Sequence, residues 1–155
     1  MDTIDNKILM QLQENAKQNT KEIAAKVGLS VTPTYERIRK LEQQEIIKSY
    51  VALLNRTKIG KELIAYCQVT LSQHQKKLAD KFKEEILQLP DIMECHQVSG
   101  NFDFLLKIAV DDIAEFHKFI NEKLSIIDGI STIHSSFVLN SVKDSTGYNL
   151  KATSP

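Results

Sequence analysis

The chain has 155 residues, 42% hydrophobic and 26% charged, the balance of a soluble folded protein and neither a disordered nor a fibrous one. Its 20 Lys and Arg offset its 20 Asp and Glu, so any nucleic-acid role must rest on a local patch. No apolar run nears the ~20 residues of a membrane helix, no charged-then-apolar leader opens the chain, and Cys67 and Cys95 have neither disulfide nor zinc spacing, so the expectation is a cytoplasmic protein without a membrane partner.

Up to about residue 48 the periodicity is helical. Ile4, Ile8, Leu9 and Leu12 make one stripe. Thr20 is expected to cap a short helix whose face is Ile23, Ala24 and Val27 and which stops at Gly28. A third helix is expected from Thr32, with Pro33 at its first position and Tyr35, Ile38 and Leu41 facing inward. Beyond residue 60 the period changes to two. Ala65, Cys67, Val69 and Leu71 alternate with Ile64, Tyr66, Gln68 and Thr70. Leu78, Phe82, Ile86 and Leu89 return to helical spacing. Two strands, 92–99 and 102–110, expected to be the inner strands of a sheet, are joined at Gly100-Asn101. Ile113, Phe116, Ile120 and Leu124 mark another helix, and 130–142 a last strand.

The order after residue 60 is β-α-β-β-α-β, a ferredoxin-like arrangement, so the chain is α+β overall: a helix-turn-helix, winged-helix-like domain followed by a βαββαβ domain. The expected limits are 1–50 for the first, 51–60 for a linker, 61–142 for the second, and 143–155 for a polar, loose tail.

Ala24 lets two helices approach and Gly28 permits a sharp turn between them, the spacing of a helix-turn-helix. On the third helix Thr32, Glu36, Arg39, Lys40 and Gln43 face away from the apolar side, with Arg37 on the flank and Thr34 near the groove wall. Such an arc suits base edges and phosphates of a major groove. Between Ser30 and Gly60 six basic residues face three acidic ones, a local charge of 6 − 3 = +3. A plain solvated helix face has the same composition; the Ala24–Gly28 turn and the Thr32-Pro33 start favour the DNA reader.

Other chemistry finds less support. Cys95 and His96 are adjacent and would face opposite sides of a sheet, while Cys67, His74, His117 and His134 are scattered, so no metal site is expected. Ser135, Ser136, His134 and Asp103 contain the ingredients of a nucleophilic triad, but there is no GxSxG elbow, and the chain is not read as an enzyme. A regulatory subunit of an enzyme that binds amino acids shares the βαββαβ arrangement; the helix-turn-helix argues for transcription control instead.

Asp2-Thr3-Ile4-Asp5, Ile8-Leu9, Leu12-Gln13, residues 22–30 (EIAAKVGLS), Arg37-Ile38 and Leu41-Glu42 resemble the N-terminal half of Lrp/AsnC-type (feast/famine) transcription regulators. Tyr50 and Ile59-Gly60 are similar to that family's linker. Pro90-Asp91-Ile92, residues 98–107 (VSGNFDFLLK) and Ser136-Phe137-Val138-Leu139 are similar to its effector-binding domain. The resemblance implies a DNA-binding regulator controlled by a small molecule, an amino acid, with no other cofactor. It also implies homodimers through the second domain, assembled as a tetramer of dimers, an octamer that can bend double-stranded DNA. The effector would sit at a dimer interface on the turn Gly100-Asn101-Phe102-Asp103, with Ser135 and Ser136 near. That turn reads Gly-Asp-Tyr-Asp in the family, so this chain loses one carboxylate and one hydroxyl. Glu45 and Ser49 stand where glycines are common. A glutamate disfavours the left-handed cap, so the third helix is expected to end differently. Ile64, Tyr66, Leu105 and Val138 fall on the side of their strands away from the main apolar stripes, area that a second copy would cover.

Overall fold

Helix α1 (Thr3–Glu14) begins on a reciprocal cap. The Asp5 amide donates to the Asp2 carboxylate at 2.8 Å and the Asp2 amide to the Asp5 carboxylate at 2.9 Å, satisfying two amides that the first turn leaves without partners. Helix α2 (Thr20–Val27) starts the same way, but on Asn19 and Glu22, one residue earlier than the Thr20 cap read from sequence. The Asn19 side chain reaches the third helical amide, which the Thr20 hydroxyl, already inside the helix, does not. Gly28 ends α2 in the left-handed region at φ 76°, as its position suggested.

The structure is a computed structural model that describes residues 1–72 and 76–150. The chain divides into two units, Met1–Leu53 together with the segment from Lys143, and Leu54–Val142. In the first, Ile8, Leu9, Ile23, Val27 and Leu41 form the core where α1, α2 and α3 (Val31–Gln43) meet, with Ile4, Leu12 and Ile38 at its rim. Ala24 is buried as well.

The tail read as loose joins this unit. The Gln13 amide nitrogen donates to the Tyr148 carbonyl at 3.1 Å, its oxygen accepts from the Tyr148 N–H at 2.6 Å, and Leu150 packs onto the helical core. One side-chain amide thus replaces both partners of an extended backbone residue.

In the second unit a 3₁₀ turn (Arg56–Ile59) ends at Gly60, φ 79°, and leads into a four-stranded antiparallel sheet. Its strands are β1 (Leu63–Leu71), β2 (Ile92–Gln97), β3 (Phe104–Val110) and β4 (Ile130–Phe137), in the order β2-β3-β1-β4. Helices α4 (Lys76–Ile86) and α5 (Ile113–Phe119) cover one face, where Ala65, Cys67, Val69, Leu106 and Ile108 meet Phe82, Phe116 and Phe119. Phe82 and Phe104 stack at 4.6 Å between α4 and β3. Helix α5 runs into a π turn, Ile120–Leu124. The sheet's other face carries Tyr66, Gln68, Leu105 and Lys107 on the inner strands, with Glu94 and His96 from β2 and His134 and Ser136 from β4.

Two further expectations change in this unit. Strand β4 stops at Phe137 rather than running to residue 142, because only the Val138 amide, bonded to the Ile64 carbonyl, still finds a strand partner. The Gly100–Asp103 turn does not link two inner strands: β2 is an edge strand, so the turn links an edge to an inner one.

Candidate DNA interface and effector turn

Ser30 precedes α3 in extended geometry. The first bond within the helix runs from the Thr34 amide to the Ser30 carbonyl at 3.4 Å, so Pro33, at the third helical position, forfeits no bond. Thr34, Ile38 and Leu41 then follow at i, i+4 and i+7 and form the inward stripe. That spacing moves two residues from where sequence placed them. Thr34 is fully buried and donates its hydroxyl to the Ser30 carbonyl at 2.9 Å; it belongs to the core and touches no groove. Tyr35, read as inward, is exposed beside Arg39 and Thr32. The signal for both was in the chain, because 34, 38 and 41 fit the helical period better than 35, 38 and 41.

Thr32, Glu36, Arg39, Lys40 and Gln43 are all exposed and share the outward arc. Arg37 is different. Its guanidinium lies 2.6 Å from the Asp2 carboxylate and 2.7 Å from that of Asp5, joining the middle of α3 to the start of α1. The pair holds the guanidinium's pKa up, Asp2 contributing most. Arg37 therefore positions the helix that carries Arg39 and Lys40.

Beyond Gln43 the chain reverses on Glu45, whose φ of 56° is left-handed, contrary to the expectation for a glutamate. The Ile46 amide donates to the Leu41 carbonyl at 3.0 Å and the Glu45 amide to that of Glu42 at 2.9 Å, the two bonds of a Schellman cap. The Tyr50 hydroxyl donates to the Glu42 carboxylate at 2.8 Å, tying the departing segment to α3. Partial burial, then the Glu42 carboxylate, push this phenol up to about 12.

At the other candidate site Gly100 has φ 137°, a backbone form for which glycine is suited, with open space around it. Asp103 anchors the turn. Its amide donates to the Val69 carbonyl at 2.9 Å, its carbonyl accepts from Val98 at 3.0 Å, and its carboxylate accepts from the Leu71 amide at 2.7 Å. Asn101 is exposed and Phe102 half-buried.

Ser135 and Ser136 do not meet there as a pair. Ser135 lies opposite Cys67 on the helix side, its hydroxyl 3.2 Å from the sulfur, whereas Ser136 lies opposite Tyr66 on the other face. Consecutive strand residues alternate, and this was legible from their adjacency. Burial pushes the Cys67 thiol up, so it stays protonated. Among the described residues no cluster of His, Cys, Asp and Glu could hold a metal ion; His74 lies outside them.

Residues 1–48 match the family model described as winged helix-turn-helix DNA-binding, and residues 64–148 the Lrp/AsnC ligand binding domain. The leucine-responsive regulatory protein of Escherichia coli is 36% identical over 151 residues, 97% of this chain and 92% of that one. Two solved structures are close in fold. One is a transcriptional regulator from Neisseria meningitidis in complex with L-Met (TM-score 0.92, 30% identity, 96% of each chain). The other is an AsnC family regulator from Agrobacterium tumefaciens (TM-score 0.91, 32% identity, 96% of this chain and 97% of that one). With a helix-turn-helix whose outward arc is basic and polar, and a ligand-binding unit built on a four-stranded antiparallel sheet, the chain belongs to the Lrp/AsnC family of DNA-binding transcription regulators and is not an enzyme.

Proposed function

We propose that α3 lies in the major groove, with Arg39, Lys40 and Gln43 making the main contacts and Thr32, Tyr35 and Glu36 beside them. The observation that carries this is the division of labour on α3. Thr34, Ile38 and Leu41 are committed to the core and Arg37 to α1, so the outward arc is free for DNA. Two such units in a dimer read half-sites about one helical turn (~34 Å) apart or a multiple of it. The dimer, and beyond it a tetramer of dimers, assembles through the Leu54–Val142 unit, where Tyr66 and Leu105 give the uncovered sheet face apolar area.

The effector is an amino acid, a reading supported by the ligand-binding family match and by the relatives named for leucine and solved with methionine. It binds at the Gly100–Asp103 turn, with backbone amides of Gly100 and Asn101 toward its carboxylate and Asp103 toward its ammonium group. Ser136, on the open face, is the better placed of the two serines. Such a protein works in the cytoplasm, where its DNA is.

The deciding experiment is a DNA-binding titration against the protein's own promoter region over a range of salt. Replacing Arg39 and Lys40 together with alanine is expected to weaken binding and reduce the salt slope by about two. Unchanged affinity and slope would show that α3 is not the reading helix.

A further inference from the structure

At the end of the sheet away from the Gly100–Asp103 turn, where β1 and β2 begin and β3 ends beside α5, there is a cavity of about 140 Å³. Its rim holds three ammonium groups, Lys61, Lys118 and Lys123, and three carboxylates, Asp91, Asp111 and Glu115; Val110 and Phe119, both buried, close its floor.

Most of these charges are already paired. Lys61 Nζ lies 2.8 Å from the Asp111 carboxylate, and Lys123 Nζ lies 2.9 Å from that of Asp91 and 5.8 Å from the centre of the Phe119 ring. The Lys61 ammonium is held up first by Asp111, with Asp91 and Glu115 adding through space. One charge of each sign remains. Among the described residues, neither the Lys118 ammonium nor the Glu115 carboxylate has a hydrogen bond or ion pair. They lie three positions apart on α5, hence on one side of it.

A second observation points to the same place. Helix α5 runs on into the π turn Ile120–Leu124, a form frequent at functional sites, and that turn carries Lys123.

We propose that this cavity is a second ligand site, which takes a small α-amino acid as a zwitterion, its carboxylate on Lys118 and its ammonium group on Glu115. A lining with one open charge of each sign suits a ligand that carries both, whereas a simple anion or cation engages only one of them. The size fixes the class. A cavity of about 150 Å³ accommodates a benzene-sized molecule of about six heavy atoms, which matches alanine, admits the one extra atom of serine and excludes nucleotides. The floor offers little apolar surface, so a long aliphatic side chain gains nothing there. The site goes beyond the effector reading at the turn, from which it is separated by the length of β3.

The test is calorimetric titration of the full chain with L-alanine and L-serine, with acetate and methylamine as single-charge probes. Lys118→Gln and Glu115→Gln are the pocket variants; both side chains are exposed, and an unchanged melting temperature verifies their fold. The expected result, measured in the Asp103→Asn background so that the turn does not contribute, is saturable alanine or serine binding that each pocket variant weakens at least tenfold, with acetate and methylamine more than tenfold weaker. The proposal is overturned if neither amino acid saturates at millimolar concentration, if acetate binds as well as alanine, or if the pocket variants bind alanine and serine as tightly as the parent protein.

Discussion

Glu45 adopts a backbone conformation that costs an L-residue about 1–2 kcal/mol, and it puts a carboxylate at the negative end of the α3 dipole. Both effects oppose the Schellman cap that it nevertheless makes. Glu45→Gly removes both and adds some unfolded-state entropy, so it is expected to stabilise the protein by about 1 kcal/mol in chemical denaturation. No gain would mean that the cap relaxes at little cost. At Asp2 the argument concerns pH. The carboxyl is held below the usual carboxylate range, first by the Asp5 amide and then by the Arg37 guanidinium. A depressed acid stabilises the fold above its unfolded pKa and loses that contribution as pH falls through the folded one. The contact is therefore present at neutral pH and fades below about pH 4. Asp2→Asn should lose most of this acid sensitivity and Arg37→Met a smaller part; identical acid denaturation curves for all three proteins would remove the contact from the account. The pairing of Arg37 was not legible in sequence, since nothing local connects position 37 with positions 2 and 5. The burial of Thr34 was legible from spacing, though its hydroxyl pulled the reading toward DNA.

Among the elements, strand β1 announces itself, because a sheet covered on one face leaves a two-residue alternation in a central strand. The end of β4 does not. Val138, Leu139 and Val142 look like strand residues, yet Leu139 and Val142 stand almost fully exposed where pairing has ended. Composition reports β preference, and only the sheet's geometry says where partners run out. Strand order is equally silent in the sequence, which is how the turn at Gly100 came to be placed between inner strands. The same turn carries the element-scale prediction. Asp103→Asn keeps an acceptor for the Leu71 amide and removes the charge, so the fold should hold. Affinity for the amino-acid effector should fall by roughly tenfold or more, the worth of a charge-assisted hydrogen bond. Calorimetry that finds equal affinity in both proteins would assign Asp103 to holding the turn and nothing else.

In the molecule as a whole, the helical unit is discontinuous in sequence, completed by Tyr148 against Gln13 and by Leu150 on its core. Composition alone made that tail look free, because backbone-to-side-chain bonds leave no periodic trace. Replacing Gln13 and Leu150 together with alanine is expected to cost roughly 1–2 kcal/mol, seen as faster hydrogen exchange of the α1 amides. Unaltered exchange would detach the tail from the fold. The arrangement also bears on how the protein is made. Residues 1–53 leave the ribosome first, but their closing segment starts at Lys143, so 142 − 53 = 89 residues must be translated in between. At about 5–20 residues per second, that leaves the DNA-reading unit unfinished for roughly 4–18 s. In that interval the nascent chain has yet to acquire the stabilising tail, and the last contacts of the first unit form only after the whole of the second has been translated.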